Sequence, residues 1–256
     1  MNAIASHVPP RAPSTPRLLL AEARYEFLRV LRTPAFAIPA LSFPLLFYLL
    51  FGVLLNRGNP QAARYLLATY GVFGTMAPAL FAFGVGFAVD RERGLLALKR
   101  AQPVPGVVLL GARLLMAMLF ALEVALLLLA AGALLGGVVL HAGQYAWLLA
   151  IDVAGALPFC ALGLFIGGRV GGAAAPGVVN LVYLPMALLS GLWLPLSMLP
   201  PLFSTLAPAW PSWHLAQLAL QVMGLASAGG AAMHLGVLVL WTAVFFALAL
   251  RRLRRA

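Results

Sequence analysis

Glu123 is the residue with the most chemistry to offer, because it sits near the middle of a long apolar run, Val107–Val139. A carboxylate at that depth costs about 3 kcal/mol and each leucine returns about 0.5. The run holds twelve leucines, so it still enters a bilayer. An ionisable group inside a membrane span points to substrate contact or a proton site. The plainer reading is a protonated or paired carboxyl that fixes helix packing. A proton site there would make the chain a proton-coupled carrier, with transport sensitive to uncouplers and not to ATP depletion.

A second chemistry is nucleophilic. Ser190-Gly191 and His234 fall in different apolar runs. An intramembrane serine protease would need that serine within hydrogen-bond reach of its base. The residue two before Ser190 is Leu188, not the glycine that the rhomboid pattern would show. The histidines His7, His141, His214 and His234 lack metal-ligand spacing with one another or with the single cysteine, Cys160. No metal is expected, and one cysteine forms no internal disulfide. Cys160 reads as a small buried hydrophobe, His214 as an outer-surface residue and Asp152 as an interface residue near the outer end of its run.

The elements that hold these residues follow from composition. Of 256 residues, 63% are hydrophobic and 9% charged, against roughly 25% charged in soluble domains. So little charge cannot cover a surface in water, and lipid must be the main solvent. Six runs are long enough to span: Ala37–Leu55, Tyr65–Val89, Val107–Val139, Ala146–Gly168, Ala173–Leu194 and Ala231–Leu250. No strand-like alternation persists, so the expected fold is an all-α membrane protein with six transmembrane helices. Glycines at small-xxx-small spacing, such as Gly163 and Gly167, permit close helix packing.

The net charge of +11 does not mark a nucleic-acid binder, because the basic residues form short clusters between the apolar runs. Fifteen of the 17 fall on one side of the six-run topology; only Arg57 and Arg64 fall on the other. That bias places both termini in the cytoplasm of a bacterial inner membrane, facing anionic lipid. Residues 1–17, rich in proline and serine, are expected to be a disordered cytoplasmic tail with no signal peptide. Residues 18–33 read as an amphipathic helix at the interface, with Leu20, Ala23, Phe27 and Leu31 on its apolar stripe and Glu22, Glu26 and Arg29 opposite. Residues 195–230 contain five prolines between Pro195 and Pro211 and no Lys or Arg. They read as short re-entrant or interfacial helices on the outer face between spans five and six, with Trp193, Trp210 and Trp213 in an aromatic belt.

The cytoplasmic loop Val89–Gly106 reads VDRERGLLALKRAQPVPG. The plainer reading is a short topology-setting loop; its leucines exceed what a solvated loop needs, which favours a helix that docks on a soluble partner.

With the interfacial helix and the outer segment SGLWLPLSMLPPLFSTLAPAWPSWHLAQL (Ser190–Leu218), this loop resembles the permease subunits of type 2 ABC exporters. The resemblance runs from about Ala21 to Leu250 and implies one transmembrane domain over 18–256. It implies that the 90–106 loop is a coupling helix docking on an ATPase through Arg91, Glu92, Arg93, Gly94, Leu95, Leu96, Leu98, Lys99 and Arg100. It implies that spans two and five line the dimer interface and translocation path, with Tyr70, Thr75, Asn180 and Tyr183 joining Glu123 as pathway residues. Many members carry a Thr-Tyr pair where this chain has Trp213-His214. The only lysine, Lys99, lies between Leu98 and Arg100, so no Gly-Lys-Ser/Thr phosphate loop exists in the chain. The chain would be no enzyme and hold no cofactor; ATP and Mg would belong to the partner ATPase. A second permease copy, identical or a paralogue, would complete the exporter. The few charges in the spans favour a hydrophobic or amphipathic cargo: a drug, a lipid or a lipid-linked molecule.

Overall fold

Proline and glycine set where the helices begin and end. The computed structural model describes residues 14–95, 98, 106–225 and 227–253, and among these every regular element is helical. Helix α1 is Thr15–Leu31. Helices α2 (Pro34–Leu54), α3 (Pro60–Glu92), α4 (Gly106–Leu134) and α5 (Ala142–Gly167) follow. Then come α6 (Ala175–Leu189), α7 (Pro201–Leu206), α8 (Pro211–Val222) and α9 (Ala231–Leu253). Proline is the first residue of α2, α3, α7 and α8, where its missing N–H costs nothing. The Asn59 side chain caps α3 by accepting from the Ala62 N–H at 3.1 Å.

Among the described residues, five helices are long and apolar enough to cross a membrane: α2, α3, α4, α5 and α9. Helix α6 has 15 residues, about 22 Å at 1.5 Å per residue, against roughly 30 Å of hydrocarbon. The run Ala173–Leu194 is longer than the helix because Gly191 (φ +71°) closes it: Leu192 N–H returns to Ala187 O. Gly137 (φ +61°) likewise follows the end of α4, five residues before α5 begins, so the expected span to Val139 is too long.

Side-chain contacts order the two ends of the bundle. Arg29, Asp90 and Arg113 meet at one end, which also carries Arg91, Arg93, Arg169 and Arg251; we call it the basic end. Tyr65, near the start of α3, donates to Gly191 O at the opposite end.

Among the described residues, two helices widen into π turns. Tyr48–Leu54 ends α2 four residues after Pro44, and Ala82–Gly86 interrupts α3 four residues after Pro78. Each proline deletes a backbone donor and crowds the preceding turn, and the helix repairs its ladder with i→i+5 bonds. The α3 turn is also where α5 comes closest. A Cβ on Gly163 would lie 2.9 Å from Leu80 O, and one on Gly167 would lie 2.5 Å from Gly84 O. The Gly163/Gly167 spacing therefore places backbone against backbone, as expected.

Three expectations need correction. Glu26 on the polar face of α1 turns inward and is buried, while Arg29 beside it stays exposed; Leu20 and Leu31 on the apolar stripe are also exposed. Only Ala23 and Phe27 of that stripe face the protein, Phe27 meeting Phe120 at 5.1 Å. The protein interior supplies Arg113 for the Glu26 carboxylate. Second, α8 is buried along Pro211–Leu220, including Trp213 and His214, so neither is an outer-surface residue. Third, Asp152 is buried in α5 and faces α3, where a Cβ on Gly71 would lie 2.7 Å from its Oδ2.

Candidate functional site

The basic end holds a buried ionic cluster that α1, α3 and α4 assemble. Arg29 pairs with Glu26 at 2.7 Å and with Asp90 at 3.4 Å. Arg113 pairs with Asp90 and lies 3.8 Å from Glu26, with its guanidinium 5.9 Å from the Phe87 ring. The sequence offered Arg113 only as a topology charge and Glu26 as a solvated one. The available signal was a basic residue seven positions into an apolar helix, which must find an acid.

The 91–100 segment divides by role. Arg91 donates to Gly168 O and, at 2.9 Å, to Val170 O. Glu92 accepts from Gly172 N–H at 2.6 Å. These two residues staple the end of α3 to the turn after α5 and are spent within the chain. Arg93 caps the helix, Gly94 turns at φ +70°, and Leu98 N–H returns to Gly94 O at 3.1 Å. Leu95 and Leu98 flank a cleft of about 360 Å³ with Glu22, Tyr25 and Arg29. Leu98 is 60% exposed and Tyr25 71%. Leu96, Lys99 and Arg100 lie outside the described residues.

Of the expected pathway residues, the structure brings Asn180 and Tyr183 together. They line an aromatic pocket of about 390 Å³ between α2, α3 and α6, with Phe36, Phe47, Phe73 and Trp193. Tyr183 stacks on Phe73 at 5.1 Å and donates to Phe73 O at 3.4 Å. Trp193 meets the Phe73 ring edge-on at 5.8 Å. Tyr70 supports this wall from behind: its hydroxyl donates to Trp193 O at 3.5 Å and its ring meets Phe47. Thr75 is buried and donates back to Gly71 O, away from the pocket. Glu123 is half-buried on α4 beside exposed Leu119, Leu126 and Leu127, outside the pocket and without a hydrogen bond or ion pair among the described residues. The phenyl rings of the wall escaped sequence reasoning because phenylalanine is ordinary in a span; only the fold gathers them.

The protease geometry is not formed. Ser190 Oγ shares a 2.6 Å hydrogen bond with Ser212 Oγ. Both ring nitrogens of His234 are engaged elsewhere, by His214 and by Ala228 O.

Residues 17–224 match the ABC-2 type transporter family, well over half of the chain. The chain belongs to the ABC-2 type transporter family. It is 29% identical over 196 residues to a Bacillus subtilis (strain 168) protein named "Putative transport permease YvfS", covering 74% of this chain and 78% of that one. An ABC-2 permease is a multi-pass membrane subunit, as the five long apolar helices require. The match includes the ionic cluster, the turn at Arg93 and Gly94 and the aromatic pocket, so all three features fall within the family domain.

Proposed function

We propose that the chain is the permease of an ATP-driven exporter, with six crossings counting the short α6 and both termini on the cytoplasmic side. One observation carries the reading. Helix α3 bears Phe73 and Phe81 in the aromatic pocket and Asp90, Arg91 and Glu92 at the turn that presents Leu98. A push on the basic end therefore reaches the pocket along one helix. The cleft between α1 and Leu98 would receive an ATPase subunit, which would hold ATP and Mg. ATP can shift the pocket between inward and outward access only by binding one arrangement better than the other. The short stretches 196–209 and α8 would close the outer side.

Asn180 supports a second permease copy at the α2–α6 face. It is exposed on an apolar helix beside Leu181 (75% exposed) and makes no hydrogen bond among the described residues. An amide facing lipid lacks a partner that another helix would supply, worth about 0.6 kcal/mol or more. The aromatic lining suits an apolar or amphipathic cargo over a sugar.

Leu98→Asp is expected to abolish co-purification of the ATPase and transport together, while leaving the permease folded because Leu98 is mostly exposed. Retained ATPase binding would overturn the docking reading. Tyr183→Ala is expected to leave ATPase binding intact and to cut export of an apolar dye by about tenfold, the order of one lost stacking and hydrogen-bond anchor. Unchanged dye export, or export of sugar cargo alone, would remove the pocket from the path. Asn180→Cys in a Cys160→Ala background should cross-link two copies on mild oxidation; a monomer throughout would argue against that interface.

A further inference from the structure

His214 on α8 and His234 in the first turns of α9 face each other with Nδ1 atoms 2.9 Å apart. Each Nε2 meets a backbone carbonyl: His214 with Pro208 O at 2.9 Å, His234 with Ala228 O at 2.6 Å. A carbonyl oxygen only accepts, so both Nε2 atoms carry protons and donate. That leaves the two Nδ1 atoms. If both rings are neutral, two lone pairs point at each other; if both are charged, two N–H groups do. A hydrogen bond forms only when one Nδ1 is protonated and the other is not. We propose that His214 and His234 form a binding site for a single shared proton, which latches the outer-end turns onto α9.

The surroundings favour one proton over two. Both rings are buried, at 3% and 0% exposure, and Trp213 meets each edge-on at 4.9 and 5.5 Å between centroids. The two carbonyl dipoles stabilise one positive charge. Burial pushes His214 below the ordinary histidine range; the Pro208 carbonyl opposes this and the neighbouring His234 adds to it. Among the described residues, no carboxylate bonds to either ring. Glu22, Glu26, Asp90 and Glu92 lie at the basic end, and Glu123 is on α4. The titratable groups on the elements packed against α8 and α9 are Arg64, Tyr65 and Tyr70 on α3, with Asp90, Arg91 and Glu92 at its basic end, and His141, Tyr145, Asp152 and Cys160 at or on α5; α9 itself carries Arg251 at its basic end. Tyr65 and Tyr70 donate to Gly191 O and Trp193 O, and Asp152 packs on Gly71.

The proton joins separate pieces of chain. Through His214 it holds the 207–209 turn; through His234 it holds Ala228. Gln217 accepts from Ala228 N–H at 2.8 Å, and Gln221 donates to Gly229 O at 3.1 Å, so α8 grips the same turn. Loss of the proton as pH rises sets the lone pairs against each other and frees one ring; a second proton at low pH does the same by charge repulsion. The latch is therefore closed in an intermediate window.

The test uses the intact chain in lipid bilayers, labelled with nitrogen-15 at histidine, between about pH 4 and pH 9 around the ordinary histidine range. Solid-state NMR is expected to show an Nδ1-to-Nδ1 correlation across the hydrogen bond in one pH window, absent above and below it, and absent from His214→Gln and His234→Gln. Two rings that titrate independently, or that stay neutral throughout without the correlation, would overturn the shared proton. In the same window, His234→Gln is expected to speed amide exchange at Ala231–Leu235 by about tenfold, whereas His141→Gln leaves it unchanged. Equal exchange in wild type and His234→Gln at every pH would overturn the latch.

Discussion

Arg113→Met removes most of the folded protein from the membrane fraction. Arg113, Asp90 and Glu26 are 4%, 5% and 4% exposed, so two carboxylates would face each other with only Arg29 between them. Removing one partner from a buried ionic group costs about 3–5 kcal/mol, a large share of the roughly 5–15 kcal/mol that holds a domain together. Arg29→Ala is the control. Its side chain is 46% exposed, so its pairs are solvent-screened and contribute about 0–1 kcal/mol. Arg113→Lys should fall between, because an ammonium keeps the charge and loses the guanidinium fork. The measurement is the yield and melting midpoint of detergent-solubilised protein. A midpoint for Arg113→Met no lower than that of Arg29→Ala would show that the cluster does not hold α1, α3 and α4 together.

Gly167→Val has a comparable effect by a steric route. A Cβ there would sit 2.5 Å from Gly84 O and 2.7 Å from Phe83 O. Both obstacles are backbone, so no rotamer change relieves them and α5 must lift off α3. Overpacking by a methyl or two costs about 1–3 kcal/mol where side chains can yield, and here they cannot. Gly163→Ala meets Leu80 O at 2.9 Å and should be milder. Gly177→Ala on α6 has nothing within 4 Å and should be neutral or slightly stabilising. Limited proteolysis and melting of the three variants give the order; a Gly167→Val protein as stable as Gly177→Ala would contradict the close crossing.

Hydropathy made the long helices legible, because burying a peptide in lipid demands a continuous apolar run whatever the tertiary fold. Helix ends were less legible. The runs to Val139 and Leu194 stay apolar past the helix, and only Gly137 and Gly191, both at positive φ, mark the stop. The π turns were not legible, since Pro44 and Pro78 signal a disturbance without saying how it is repaired. In the candidate site, Asn180 and Tyr183 were found as a group because polar side chains stand out in an apolar helix. Thr75 stood out equally and turns into its own helix. The orientation of α1 was not legible because the amphipathic rule assumes water on the polar side; against a bundle, Glu26 finds Arg113 inside while Leu20 is left exposed. His214 and His234 are 20 residues apart, and no spacing rule brings them together.

The α3–α5 crossing has a mechanical meaning. At Gly163 and Gly167 the contact is largely between bare Cα atoms and the backbone of α3, with the Phe83 Cβ the one side-chain atom close by. Such a joint resists compression along the line between the helices and offers little resistance to rotation about it. It behaves as a bearing: it fixes a distance and leaves an angle free, a few residues from the Arg91 and Glu92 staples that could turn it.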